Sequence, residues 1–189
     1  YGDAGHHAEA VSAFECALGL KVDLVDALLG IARSYAELGR MEDSAESLRQ
    51  AVRYRPDHAD ALWRLALTYE RMGRWQEAAD ACKRAVRLRP QSAEAHQKLG
   101  VLCMYTERPD EAIEALREAV RLKPDMAHAH YSLGLAMRQK GLSEDGLLHV
   151  ENAARLDPRD PTLQAGLGYM LAEGGRLQEA AEAYQNAIK

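Results

Sequence analysis

Four six-residue phrases recur along this chain: "AVRYRP" at 51–56, "AVRLRP" at 85–90, "AVRLKP" at 119–124 and "AARLDP" at 153–158. Their prolines, Pro56, Pro90, Pro124 and Pro158, stand 34 residues apart. A fixed period of that length constrains the fold more than any other feature. Each period is one small supersecondary unit that cannot bury its apolar face alone, so the units must stack. Other columns repeat in step. Ala17, Ala51, Ala85, Ala119, Ala153 and Ala187 form one, and Ile31, Leu65, Leu99, Leu133 and Leu167 another. Two columns hold small residues: Ala32, Ala66, Gly100, Gly134 and Gly168, then Ala10, Ser44, Ala78, Ala112, Gly146 and Ala180.

Each unit reads as two helices. In "ADALWRLALTYERM" (59–72), residues 62, 65, 66 and 69 form an apolar helical stripe that Gly73 ends in the left-handed conformation. The second helix, over about 76–88, sets Ala78, Ala81, Cys82, Ala85 and Val86 on one face, and Pro90 stops it. The small columns let two antiparallel helices cross closely. No stretch alternates as a strand does, so the expected class is all-α.

The pattern Leu62, Leu65, Ala66, Tyr69, Gly73, Ala78, Ala85 and Pro90 resembles the tetratricopeptide repeat (TPR) over the whole chain. The resemblance implies a right-handed superhelical stack of antiparallel helix pairs, with first helices lining a concave groove. Units are expected at 25–58, 59–92, 93–126 and 127–160, with a partial copy at 1–24 and a shortened one at 161–189, as one continuous solenoid. Some residues depart from the pattern. His96, His130 and Gln164 stand where Leu28 and Leu62 are apolar, and Glu107 replaces the interhelix glycine, with Pro109 opening the next helix. Both ends read as cut, which suggests a piece of a longer protein and leaves Val11, Phe14, Ala187 and Ile188 partly uncovered.

Composition excludes several classes. The net charge is −5, so nucleic acid is not the expected partner, and no apolar run is long enough for a membrane span. Cys16, Cys82 and Cys103 have no metal or disulfide spacing and suit a reducing, cytoplasmic setting. Cys82 and Cys103 fall in core columns, as buried thiols. His96 and His130 occupy equivalent places in successive units, about 10 Å apart, too far to share an ion bound at about 2 Å. "GLGYMLAEGG" (166–175) lacks a phosphate-binding spacing, and no nucleophile or acid–base arrangement appears. The chain is therefore expected to be noncatalytic, with no metal and no cofactor.

The resemblance carries the functional expectation. The groove columns it implies hold Leu29, Arg33, Trp63, Arg64, Leu67, Lys98, Val101, Tyr105, Tyr131, Leu135, Arg138 and Tyr169. Aromatic and aliphatic anchors beside a few cations suit a peptide or partner helix with apolar anchors and a carboxylate. Trp63 and Tyr131 suit packing across neighbouring helices equally well. The Asn-containing two-carboxylate clamp of chaperone-tail binders and the asparagine ladder of O-glycosyltransferase members are both unmatched. Two other readings stay open: a scaffold that self-associates through uncapped ends, and a targeting arm of a larger enzyme such as a glycosyltransferase.

The basic residues of the opening phrase read as architecture. Arg53, Arg87, Arg121 and Arg155, with Lys21, Arg55, Arg89 and Lys123, end second helices. Cations there complement the helix dipole by about 0.3–1 kcal/mol each. An edge for an acidic partner is the weaker reading in a net negative chain.

Overall fold

The structure, a computed structural model, describes residues 24–188. His6, His7, Val11, Phe14, Cys16 and all but the last residue of the partial unit at 1–24 lie outside the described residues. Ten helices and no strand are found among them. In chain order these are α1 (Leu24–Glu37), α2 (Met41–Tyr54), α3 (Ala59–Arg71), α4 (Trp75–Leu88), α5 (Ala93–Tyr105), α6 (Pro109–Leu122), α7 (Ala127–Gln139), α8 (Ser143–Leu156), α9 (Pro161–Glu173) and α10 (Leu177–Ala187). No described helix is long and apolar enough to cross a membrane. The chain divides into two compact units at Pro90 and Gln91. In the first, α1 packs on α2, α2 on α3 and α3 on α4. In the second, α5 to α10 pack in the same successive manner, and the first helices α5, α7 and α9 also touch in turn.

The corner inside each pair is built by backbone conformation. Gly39, Gly73, Gly141 and Gly175 sit at φ between 72° and 86°, where a side chain is disfavoured. The next amide then reaches back to close the turn. Arg40 N–H donates to Tyr35 O at 2.8 Å, and Arg74, Arg108, Leu142 and Arg176 repeat the bond at 2.9 Å to Tyr69, Cys103, Met137 and Leu171. Glu107 occupies the same left-handed place at φ 56°, and Pro109 opens α6, where its missing N–H costs nothing. In the first unit the corner arginines also cap the tyrosine faces. The Arg40 guanidinium lies 4.5 Å above the Tyr35 ring and Arg74 lies 4.7 Å above Tyr69, while each pairs with an acid three residues on, Asp43 or Glu77.

The small columns form the crossing inside each pair. A Cβ on Gly134 would stand 2.5 Å from Gly146 O, and a Cβ on Gly146 would stand 2.6 Å from Gly134 O, so α7 and α8 touch backbone to backbone. In the first copy Ser44 uses the same closeness, its hydroxyl donating to Ala32 O at 2.7 Å. Around these crossings Leu48, Leu62, Leu102, Leu116, Leu133 and Leu163 are almost wholly buried. Each contributes on the order of 2 kcal/mol through burial alone.

Two of the polar residues in the leucine column, His130 and Gln164, are buried too, while His96 is half-buried. His130 turns Nε2 to Pro124 O at 3.1 Å, and Gln164 Nε2 donates to Pro158 O at 3.3 Å and Ala154 O at 3.4 Å. The carbonyl of the repeat-ending proline thus finds a donor six residues later, which makes a polar side chain tolerable inside the stack.

Candidate functional site

The first helices of the second unit enclose a cleft. Val101, Met104 and Tyr105 come from α5, and Tyr131, Ser132, Leu135, Arg138 and Gln139 from α7. The cleft measures about 540 Å³. Helical spacing explains the set: residues three and four apart share a face, so 101, 104 and 105 project beside 131, 135 and 138. Tyr105 is 61% exposed, which is unusual for so large an aromatic ring.

Its floor is set by a missing side chain. The space a Cβ on Gly166 would need is filled by the Tyr131 ring, so Tyr131 lies against α9 while one side still lines the cleft. Burial raises its hydroxyl pKa and Asp160 adds to the rise, while Arg138 opposes it. Tyr131 therefore packs across to α9 and also lines the cleft.

Arg138 closes one end. Its Nη1 donates to Tyr169 Oη at 3.1 Å and to Glu173 Oε1 at 3.1 Å, and the guanidinium stacks 5.0 Å from the Tyr169 ring. Tyr169 Oη donates in turn to Glu173 Oε1 at 2.8 Å. Gln139 Nε2 donates to Met104 O at 3.4 Å, tying α7 to α5 at the cleft wall. Glu173 and Gln139 were not among the sequence candidates. Their partners lie 35 residues away, one repeat plus one position, which a column alignment does not mark.

A smaller cleft, in the first unit, measures about 300 Å³ and is lined by Arg33 and Glu37 from α1 and by Arg64, Leu67 and Arg71 from α3, over Leu48. Arg64 Nε is paired with Asp60 at 2.8 Å, one turn earlier on its own helix. Five sequence candidates, Val101, Tyr105, Tyr131, Leu135 and Arg138, thus share the larger cleft, and Arg33, Arg64 and Leu67 share the smaller. Leu29, Trp63 and Lys98 are half-buried and line neither, while Tyr169 stands at the Arg138 end.

Elsewhere, Cys82 and Cys103 are buried thiols. Arg121 is held by Glu118 at 2.6 Å, and Lys123 stands 3.6 Å from Glu94. These members of the basic ladder are engaged within the fold.

The comparisons with known proteins agree with this architecture. The family model described as the cilia and flagella-associated protein 70 C-terminal domain matches residues 1–189. Among solved structures, the chain resembles MamA from Desulfovibrio magneticus RS-1, with TM-score 0.81 and 23% identity over 88% of this chain and 94% of that one. It resembles MamA MSR-1 with TM-score 0.71 and 27% identity over 82% and 90%. A third, titled as YrrB, a TPR protein with an unusual peptide-binding site, aligns with TM-score 0.77 and 20% identity over 94% and 92%. No curated protein sequence matches the chain. The fold is an all-α TPR solenoid.

Proposed function

Because this chain belongs to the family of the cilia and flagella-associated protein 70 C-terminal domain, we propose that it is a noncatalytic protein-interaction scaffold that takes a peptide or partner helix in the α5–α7 cleft. The observation that carries this reading is the cleft itself: an apolar trough of Val101, Met104, Tyr105, Tyr131 and Leu135 with polar ends at Ser132, Arg138 and Gln139. Exposed aromatic surface beside oriented polar groups is how peptide-binding surfaces combine affinity with direction. YrrB, of the same fold, is titled as having a peptide-binding site, which supports the class of ligand. The family description directs the search for partners to cilia and flagella.

The expected ligand presents one or two large apolar side chains. A carboxylate on it would compete with Glu173 for Arg138, or meet Arg33 and Arg71 at the smaller cleft. The test is selection of peptides on the intact chain, followed by fluorescence anisotropy with variants. Tyr105→Ala and Leu135→Glu are expected to weaken a selected peptide by about tenfold or more, the scale of a lost hot-spot contact. Circular dichroism should stay unchanged. Unaltered affinity in both variants would refute the cleft.

A second reading, self-association, rests on exposed apolar residues at α10: Leu177, which opens it, is 69% exposed and Ile188, which follows it, 85%. Light scattering that finds only monomer over a wide concentration range removes it.

A further inference from the structure

Two imidazoles meet where the repeat pattern pairs none. His130 lies on α7 in the leucine column, and His149 lies on α8, 19 residues on. Their Nδ1 atoms are 3.1 Å apart, with ring centroids at 5.4 Å and planes tilted by 30°. The other His130 nitrogen, Nε2, is 3.1 Å from Pro124 O. A carbonyl can only accept, so Nε2 carries the hydrogen and neutral His130 presents a bare Nδ1 lone pair toward His149.

That is how metal-binding histidines are usually held. One ring nitrogen donates to a backbone carbonyl, which fixes the tautomer and aims the other nitrogen at the ion. Imidazole nitrogens bind zinc at about 2.0–2.1 Å. Two nitrogens 3.1 Å apart, both at that distance from one ion, subtend about 98° at it. The angle falls between square-planar and tetrahedral values. Among the described residues no group of three metal-capable side chains converges, so solvent must fill the remaining positions. His149 is only partly buried, so solvent reaches part of the ring. Asp145, one turn earlier on α8, adds a favourable field, and Arg117 on α6 opposes it.

We propose that His130 and His149 form a two-nitrogen chelating site for a late first-row divalent cation, each ring ligating through Nδ1. Binding replaces the hydrogen bond between the rings. The proton on His149 Nδ1 moves through solvent to its own Nε2, and the ion takes both Nδ1 lone pairs. Protons balance with none released. Copper(II) should bind most tightly, and zinc and nickel more weakly, following the usual order for nitrogen sites.

The test uses copper(II) with the full chain carrying His6→Ala and His7→Ala, since those adjacent histidines would chelate on their own. Calorimetric titration and electron paramagnetic resonance read affinity and the number of coordinated nitrogens. One copper per chain with a two-nitrogen hyperfine pattern is expected. His149→Gln should lower affinity at least tenfold and leave a one-nitrogen pattern. His130→Gln should do the same, and it reproduces the Gln164 arrangement, whose amide already serves the equivalent proline carbonyl. Circular dichroism identifies any variant that fails to fold. A two-nitrogen pattern that survives either folded variant, or an affinity equal in all three chains, overturns the site.

Discussion

At the scale of single residues, the repeat shows what each column does by what happens where it is broken. Glu107 holds a left-handed conformation that glycine holds in the other described copies. That conformation costs a side chain about 1–2 kcal/mol, and glycine returns part of the gain through its freer unfolded chain. Glu107→Gly should therefore stabilise the protein by roughly 0.5–1 kcal/mol in urea denaturation. Gly134 makes the opposite case. Alanine favours a helix by about 1 kcal/mol, but here its Cβ would meet both the Gly146 carbonyl oxygen and the fully buried Val150 side chain, and the backbone oxygen cannot turn away. Overpacking of this kind costs about 1–3 kcal/mol, so Gly134→Ala should give a net loss measured the same way. The small columns were visible in the sequence. That the Gly134 crossing brings backbone against backbone was not, because the pattern reports size and not distance.

At the scale of elements, the helices were legible because period, glycine and proline all mark the same boundaries. The caps were less so. Asp160 accepts the Thr162 amide at 2.7 Å and the Leu163 amide at 3.2 Å and starts α9. Burial pushes its carboxyl pKa up, but those amides and nearby His128 outweigh burial and hold it below the usual value. A depressed carboxylate stabilises the fold above its unfolded pKa of about 4, and that stability is lost as pH falls through the folded value. Asp160→Ala should cost about 1 kcal/mol at neutral pH, and the difference from wild type should shrink as acid denaturation is approached. The His130–His149 pair escaped the sequence reading for another reason. Spacing along one column compared His96 with His130, whereas the contact joins different columns on different helices.

At the scale of the whole molecule, the period fixed the fold class because several columns agree over successive copies, and no single motif had to carry it. The candidate site was legible only as a set of columns. Which members converge depends on local details: the Gly166 notch that admits Tyr131, and the reach of Arg138 to Glu173. Arg138→Met should release Tyr169 and Glu173 while keeping the stem that walls the cleft. Its effect on folding should be small, as an exposed pair is worth about 0–1 kcal/mol, whereas binding of a carboxylate-bearing peptide should fall. The most direct measurement is amide hydrogen exchange on the intact chain with and without a selected peptide. Protection concentrated in residues 98–105 and 131–139 is the expected footprint of a scaffold that binds through its first helices. Protection confined to α10, or to the second helices α6 and α8, would contradict it.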